Sequence, residues 1–231
     1  MSKVIAIFGA GTGLSASLAR RFAREDLAVA LVARRKDRLD ALVEALKAEG
    51  VEAAGFLADL SKPHEAVRAI AAIRDRFDRV DVVEYGPISA EQSFVPAAKL
   101  DADTLRKDSQ LLLYTPLDLA SAVLPEWADR GDGAFLMTTG ATAGSPQPFA
   151  SGVGPLMAAA RNWLFSLHGE LAEAGIYAGT LSIASFIARS EVGEPVAKSL
   201  GAPLVDPDEL AEVYWRMYIE RDRVERVHPE P

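Results

Sequence analysis

No cysteine occurs among the 231 residues. Disulfides, thiolate zinc sites and thiol nucleophiles are excluded together. Histidine is scarce as well: His64, His168 and His228 lie far apart, none in a His-x-x-x-His spacing, so no metal site is expected. No apolar run approaches the roughly 18 residues that a membrane span requires. The apolar stretch over residues 1–9 is too short for the core of a signal segment and leads straight into patterned sequence, so a cytoplasmic protein is expected. Basic charge is in deficit, with 25 Lys and Arg against 33 Asp and Glu and a formal net charge of −8. Such a surface repels phosphate backbones and anionic lipid, which argues against nucleic-acid and membrane partners. What remains is an ordinary soluble composition, 49% hydrophobic and 25% charged, with enough apolar surface to build a core.

The pattern along the chain alternates between two periods. Residues 3–8 form a β-branched apolar run, a glycine-rich turn follows, and residues 14–24 carry apolar side chains at helical spacing. Residues 27–33 are almost continuously apolar, as a strand covered on both faces must be. Residues 38–49 repeat Leu39, Leu42, Val43 and Leu46 on one helical face, and Gly50 closes that helix. The alternation continues with strands over 53–57, 80–84, 134–138 and 177–183, and helices over 63–76, 104–124 and 155–174. Strand–helix alternation of this kind builds an α/β fold of the Rossmann type: a doubly wound parallel sheet with helices on both faces. No repeat or linker interrupts it, so residues 1–231 are expected to form a single domain. Two Pro/Gly-rich excursions remain, a site loop over 140–155 and a lid-like segment over about 188–207.

Between the first strand and first helix stands Gly9-Ala10-Gly11-Thr12-Gly13-Leu14-Ser15. Glycines there permit tight turns and close backbone approach, and the following helix aims its N-terminal amides at the same point, so the segment is suited to a pyrophosphate. A tight turn without ligand is the competing reading. The second strand ends at Ala33-Arg34-Arg35, where a fold binding NAD would place a carboxylate for the ribose 2′-hydroxyl. Two guanidiniums at that point grip a 2′-phosphate instead, which predicts NADP(H) as cofactor. Asp59 and Leu60, closing the third strand, are expected beside the adenine; the competing reading is a helix start at Ser61 and Pro63.

Together these residues resemble the short-chain dehydrogenase/reductase family over nearly the whole chain. The family's opening Thr-Gly-x-x-x-Gly-x-Gly is matched at Gly9 and Gly13, with Phe8 in place of its threonine and Ser15 in place of its last glycine. Arg34 matches the basic residue of NADP-preferring members, and Asp59-Leu60 the pair that contacts adenine. The resemblance also implies a Tyr-x-x-x-Lys pair whose tyrosine exchanges a proton with the substrate oxygen. No such pair is present. Anchored on Glu170-Leu171-Ala172 and Gly175-Ile176, the tyrosine position falls on Val153 and the lysine position on Met157. The serine position falls on Gly140, with hydroxyls nearby at Thr139 and Thr142, and the asparagine position near Leu112, with Gln110 the nearest amide. The run after the fourth strand becomes Glu84-Tyr85-Gly86-Pro87, which puts Gly86 beside the cofactor.

Departures therefore cluster at the nicotinamide end while the adenosine end is kept. Tyr85, Thr139 and Thr142 are the candidates for moving or orienting a proton. Tyr85 has the alternative role of an aromatic pocket wall, Thr139 and Thr142 that of loop capping, and His168 is expected to be a packed residue. Two functions are consistent with this pattern. One is an NADP(H)-dependent oxidoreductase with an atypical proton source, acting on a carbonyl, an alcohol or an activated double bond. The other is a non-catalytic NADP(H)- or ligand-binding protein or regulatory subunit. The apolar residues Val192, Pro195, Val196 and Leu200 suggest an apolar small-molecule ligand. The helices over 104–124 and 155–174 resemble the family's dimer-forming pair, so a homodimer or homotetramer is expected.

Overall fold

All five residues of β1 (Val4–Phe8) are buried. Val4, Ala6 and Phe8 face one helical layer and Ile5 and Ile7 the other, because alternate side chains of a strand point to opposite faces. The computed structural model describes residues 2–88, 95–149 and 151–230. Met1, Pro231 and Ala150, the last inside the expected site loop, lie outside the described residues. In chain order β1 is followed by α1 (Leu14–Ala23), β2 (Ala28–Ala33), α2 (Lys36–Ala48), β3 (Ala53–Leu57) and α3 (Glu65–Phe77). Then come β4 (Val82–Tyr85), α4 (Ala102–Ser109), α5 (Thr115–Arg130), β5 (Gly133–Gly140), α6 (Gly154–Leu171) and β6 (Ile176–Ile183). The last elements are β7 (Phe186–Ile187), α7 (Gly193–Leu200), β8 (Leu204–Val205), α8 (Pro207–Glu220) and β9 (Glu225–His228).

Seven strands form one parallel sheet in the order β3-β2-β1-β4-β5-β6-β9, and β7 pairs with β8 beside it. This is a Rossmann-type doubly wound sheet. Helices α3, α5 and α6 cover one face through Ile70, Ile73, Leu119, Val123, Trp127 and Leu164. Helices α1, α2 and α8 cover the other through Leu18, Phe22, Leu39, Val43, Tyr214 and Met217. The strand order reverses between β1 and β4, and a crevice opens at the carboxyl ends of strands at such a reversal. Gly9 follows β1 and Gly86 follows β4, so both stand at its mouth. At the opposite end of these two strands, buried Asp81 accepts the Val4 amide at 2.8 Å and pairs with Arg79 at 2.5 Å.

The expected helix over 104–124 is interrupted. A wide π turn, Gln110–Tyr114, separates α4 from α5, and the Thr115 amide closes it on the Gln110 carbonyl. Pro116 explains the break: it has no N–H to return to the preceding turn, and its ring crowds the carbonyl four residues back. The third helix begins at Glu65 rather than 63, because Asp59 accepts both the amide and the hydroxyl of Ser61 and holds residues 59–61 in a turn. The segment expected to be lid-like contains α7 and β8, and β7 immediately precedes it; the two-residue strands β7 and β8 leave no periodic trace. β9 is an edge strand of four half-buried residues, Glu-Arg-Val-His, and carries no apolar run. His168 packs as expected, with Nδ1 2.8 Å from the Ala178 carbonyl and its ring edge-on to Tyr177. Among the described residues no helix is long and apolar enough to cross a membrane.

Candidate functional site

A cavity of about 700 Å³ lies at the strand-order reversal, within the size range of small-molecule sites. Of the expected cofactor contacts, Gly9, Gly11, Thr12, Arg34, Arg35, Asp59 and Leu60 line it. Gly13 and Leu14 open α1 directly after the turn, and Gly86 packs behind the wall. A smaller concavity of about 390 Å³ around Arg20, Glu49 and Gly50 has no comparable set of converging groups.

Backbone geometry decides which amides face the cavity. Those of Gly9 and Ala10 both donate to the Val32 carbonyl, at 3.0 and 2.9 Å, and so tie the turn to β2. Those of Gly11, Thr12, Gly13 and Leu14 donate to no group among the described residues. Those of Gly13 and Leu14 belong to the unsatisfied first-turn donors of α1, reinforced by the positive end of its dipole, and those of Gly11 and Thr12 to the turn just before it. Gly9 has φ +97°, and a Cβ there would stand 2.6 Å from the Cα of Pro87, so turn and β4 loop touch without room for a side chain. At Gly11 a Cβ would meet open space. Nothing in the protein itself requires glycine at that position.

Three arginines border the adjoining wall. Arg34 is exposed to the cavity and makes no ion pair or hydrogen bond among the described residues. Arg35 donates to Glu191 at 2.8 Å, and Arg38 pairs with the same carboxylate. Across from them, Asp59 is oriented by Ser61, whose hydroxyl at 2.6 Å holds its carboxyl below the ordinary range, with a smaller pull from Arg34. The set suits an elongated polyanion: unpaired amides for one phosphate, an unpaired guanidinium for another.

The other end of the crevice is different. Leu112, Val153 and Leu156 form a small apolar cluster joined by Leu105, Leu111, Leu113 and Met157. The Gly140 amide lies 3.4 Å from the Met157 sulfur. The four positions singled out for the family's proton-handling residues, 112, 140, 153 and 157, thus come together in space, and none carries an ionisable group. Thr139 is buried, its hydroxyl between Thr180 at 3.0 Å and Ser182 at 2.9 Å. Thr142 is half-buried, its hydroxyl 3.5 Å from where a Cβ on Gly140 would stand. Tyr85 does not line the cavity. It is 2% exposed, its hydroxyl donates to the Leu111 carbonyl, and burial pushes its pKa well above the phenol range.

Three acidic residues of this region were not singled out by the sequence, Glu191, Glu84 and Asp108, the last a buried residue lining the cavity beside Lys107. Glu191 lies 156 positions from Arg35, and only the fold brings them together. Glu84 did leave a signal, an acid inside the otherwise unbroken strand Val82–Tyr85. It is fully buried, its carboxyl accepts the Thr138 hydroxyl at 2.7 Å, and burial raises its pKa to about 8. Tyr214 adds a hydroxyl 2.6 Å from Thr138. A Cβ on Gly86 would lie 2.6 Å from the Glu84 carboxyl, which explains the glycine behind the cavity wall.

The chain is similar to several known proteins. A short chain dehydrogenase of Pseudocercospora fijiensis is 28% identical over 200 residues, 84% of this chain and 62% of that protein. The chain thus spans less than two thirds of that relative's length. An alcohol dehydrogenase from the archaeon Thermococcus sibiricus, complexed with 5-hydroxy-NADP, superimposes with a TM-score of 0.82 at 25% identity, covering 100% of this chain and 99% of that one. A short-chain dehydrogenase from Sphingobium yanoikuyae in complex with NADPH gives 0.80 at 25% identity, covering 98% and 88%. The short chain dehydrogenase family model matches residues 3–186. On that match, which spans most of the sheet and its helices, the protein belongs to the short chain dehydrogenase family.

Proposed function

We propose that this chain is an NADP(H)-dependent oxidoreductase in which positions 112, 140, 153 and 157 offer no side-chain acid, and that it acts on acceptors protonated by water. The observation that carries the cofactor half is one cavity lined by Gly11, Thr12 and Arg34, in which these two amides and this guanidinium are unpaired among the described residues. A diphosphate fits the amides, and a 2′-phosphate fits Arg34 better than a bare hydroxyl does. Gly11, glycine for no reason internal to the protein, is accounted for by a ligand resting on the backbone. Asp59 and Leu60 would border the adenine of a bound cofactor, and Pro87 and Ile88 would wall its nicotinamide side. The two solved relatives holding 5-hydroxy-NADP and NADPH support the same cofactor.

When bound, NADPH supplies a hydride. The chain's own residues then position the acceptor against the apolar side formed by Leu112, Val153 and Met157, and the open side of the crevice admits the water that protonates it. Tyr85 serves as packing, since its hydroxyl is engaged and its proton tightly held. Thr139 is structural, and Thr142 orients an acceptor oxygen without acting as an acid, because a neutral hydroxyl without an activating base is a poor one. Plain ketones, which need a proton as the hydride arrives, are poor acceptors for such a site. Quinones and activated double bonds are not.

The test is NADPH consumption with a quinone, an enone and an aliphatic ketone. Turnover is expected with the first two, and rapid ketone reduction would contradict the proposal. A second reading, a binding protein that does not turn over, is favoured by the same apolar cluster. It is distinguished by NADPH binding with no consumption on any acceptor.

A further inference from the structure

We infer that Glu191 is a built-in occupant of the 2′-phosphate subsite, setting how strongly the site prefers a phosphorylated ribose over an unphosphorylated one. The inference rests on the cofactor reading above. Its carboxylate lines the cavity and is held by Arg35 at 2.8 Å and by Arg38, while Arg34 alone of the three stays unpaired among the described residues. Two cations facing the place of a phosphate thereby already share one anion of this chain. A phosphate of nearly two charges displaces a singly charged carboxylate from paired guanidiniums, whereas a ribose hydroxyl has no charge with which to compete. Glu191 therefore weakens binding of the phosphorylated cofactor and leaves the unphosphorylated one nearly untouched.

The segment carrying Glu191 is fixed by other contacts. Thr12 donates its hydroxyl to the Arg189 carbonyl at 2.9 Å, and a Cβ on Gly13 would lie 3.2 Å from the Ser190 Cα. Arg189, at φ +61°, pairs with Asp206 at 2.5 Å and Asp208 at 2.9 Å, and its amide donates to Glu194 at 2.5 Å. Asp208 in turn accepts the Ser17 hydroxyl at 2.5 Å. Residues 189–190 thus remain anchored across the glycine turn when the Glu191 pair is removed, and only the arginine end is released.

The test is calorimetric titration of wild type, Glu191→Gln and Glu194→Gln with NADPH and with NADH. Glu194→Gln deletes the same charge from the same segment but leaves Arg35 and Arg38 paired. In Glu191→Gln the NADPH Kd is expected to fall about two- to fivefold, the range an exposed ion pair commands, and the NADH Kd to change by less than that. In Glu194→Gln the ratio of the two should stay at the wild-type value. Equal changes for both cofactors, a weaker NADPH complex in Glu191→Gln, or the same change of ratio in Glu194→Gln would each overturn the inference and leave the cofactor reading standing. A wild-type protein that binds neither nucleotide would overturn both.

Discussion

Glu84 is a carboxylic acid in the middle of a fully buried strand, with a folded pKa raised to about 8 by burial. In an unfolded chain the same group titrates near 4.3. Below that value both states are protonated and the residue carries no proton-linked penalty. Between the two values the unfolded chain releases a proton that the folded chain keeps, so stability falls as pH rises, by up to about 1.4 kcal/mol per unit. Above pH 8 the penalty is complete. Glu84→Gln keeps the shape and still accepts the Thr138 hydroxyl, so its stability relative to wild type should climb from pH 5 to pH 8 and then level off. Urea unfolding of both proteins at pH 5.5, 7 and 8.5 reads this directly; a difference independent of pH would show that Glu84 does not hold its proton. At this scale the glycine turn and the arginine wall of the cavity were legible and the remainder less so. Gly9 to Leu14 and Arg34 are local signals, a turn before a helix and a base at a strand end. Glu191 was illegible because its partners are remote in the chain and meet it only after folding.

At the scale of elements, Pro116 has an effect that reaches β4. In the π turn the Leu111 carbonyl faces a residue with no N–H, and the Tyr85 hydroxyl supplies the missing donor. Tyr85 thus ties the end of β4 to the start of α5. Tyr85→Phe leaves that carbonyl unsatisfied and is expected to cost about 1–3 kcal/mol of unfolding free energy. NADPH turnover should stay within about twofold of wild type, since the hydroxyl is buried and engaged by the Leu111 carbonyl. A drop in turnover of about a hundredfold, the lower bound for a lost general acid, with stability unchanged would instead make the phenol the proton source. Strand and helix order was readable because each buried strand is continuously apolar and each helix carries a 3.6-residue stripe. The π turn was not, since the apolar residues 111–113 continue the stripe and a proline near a helix start is an ordinary signal. β7, β8 and β9 escaped because very short or edge strands have no buried face long enough to write a pattern.

For the whole molecule, one sheet serves two chemically unlike ends of a crevice. Near β1 and β2 the turn amides and Arg34 stand ready for phosphates, while near β5 and α6 the residues at 112, 140, 153 and 157 close into an apolar contact around the Met157 sulfur. The central claim is that the first end still holds a phosphorylated dinucleotide. Its most direct measurement is calorimetric titration of the wild-type protein and of Arg34→Ala with NADPH. The wild type should give a saturable one-to-one isotherm, and Arg34→Ala should bind at least about tenfold more weakly, the loss of a charge-assisted contact to phosphate. No heat from the wild type, or an isotherm indifferent to Arg34, would contradict it.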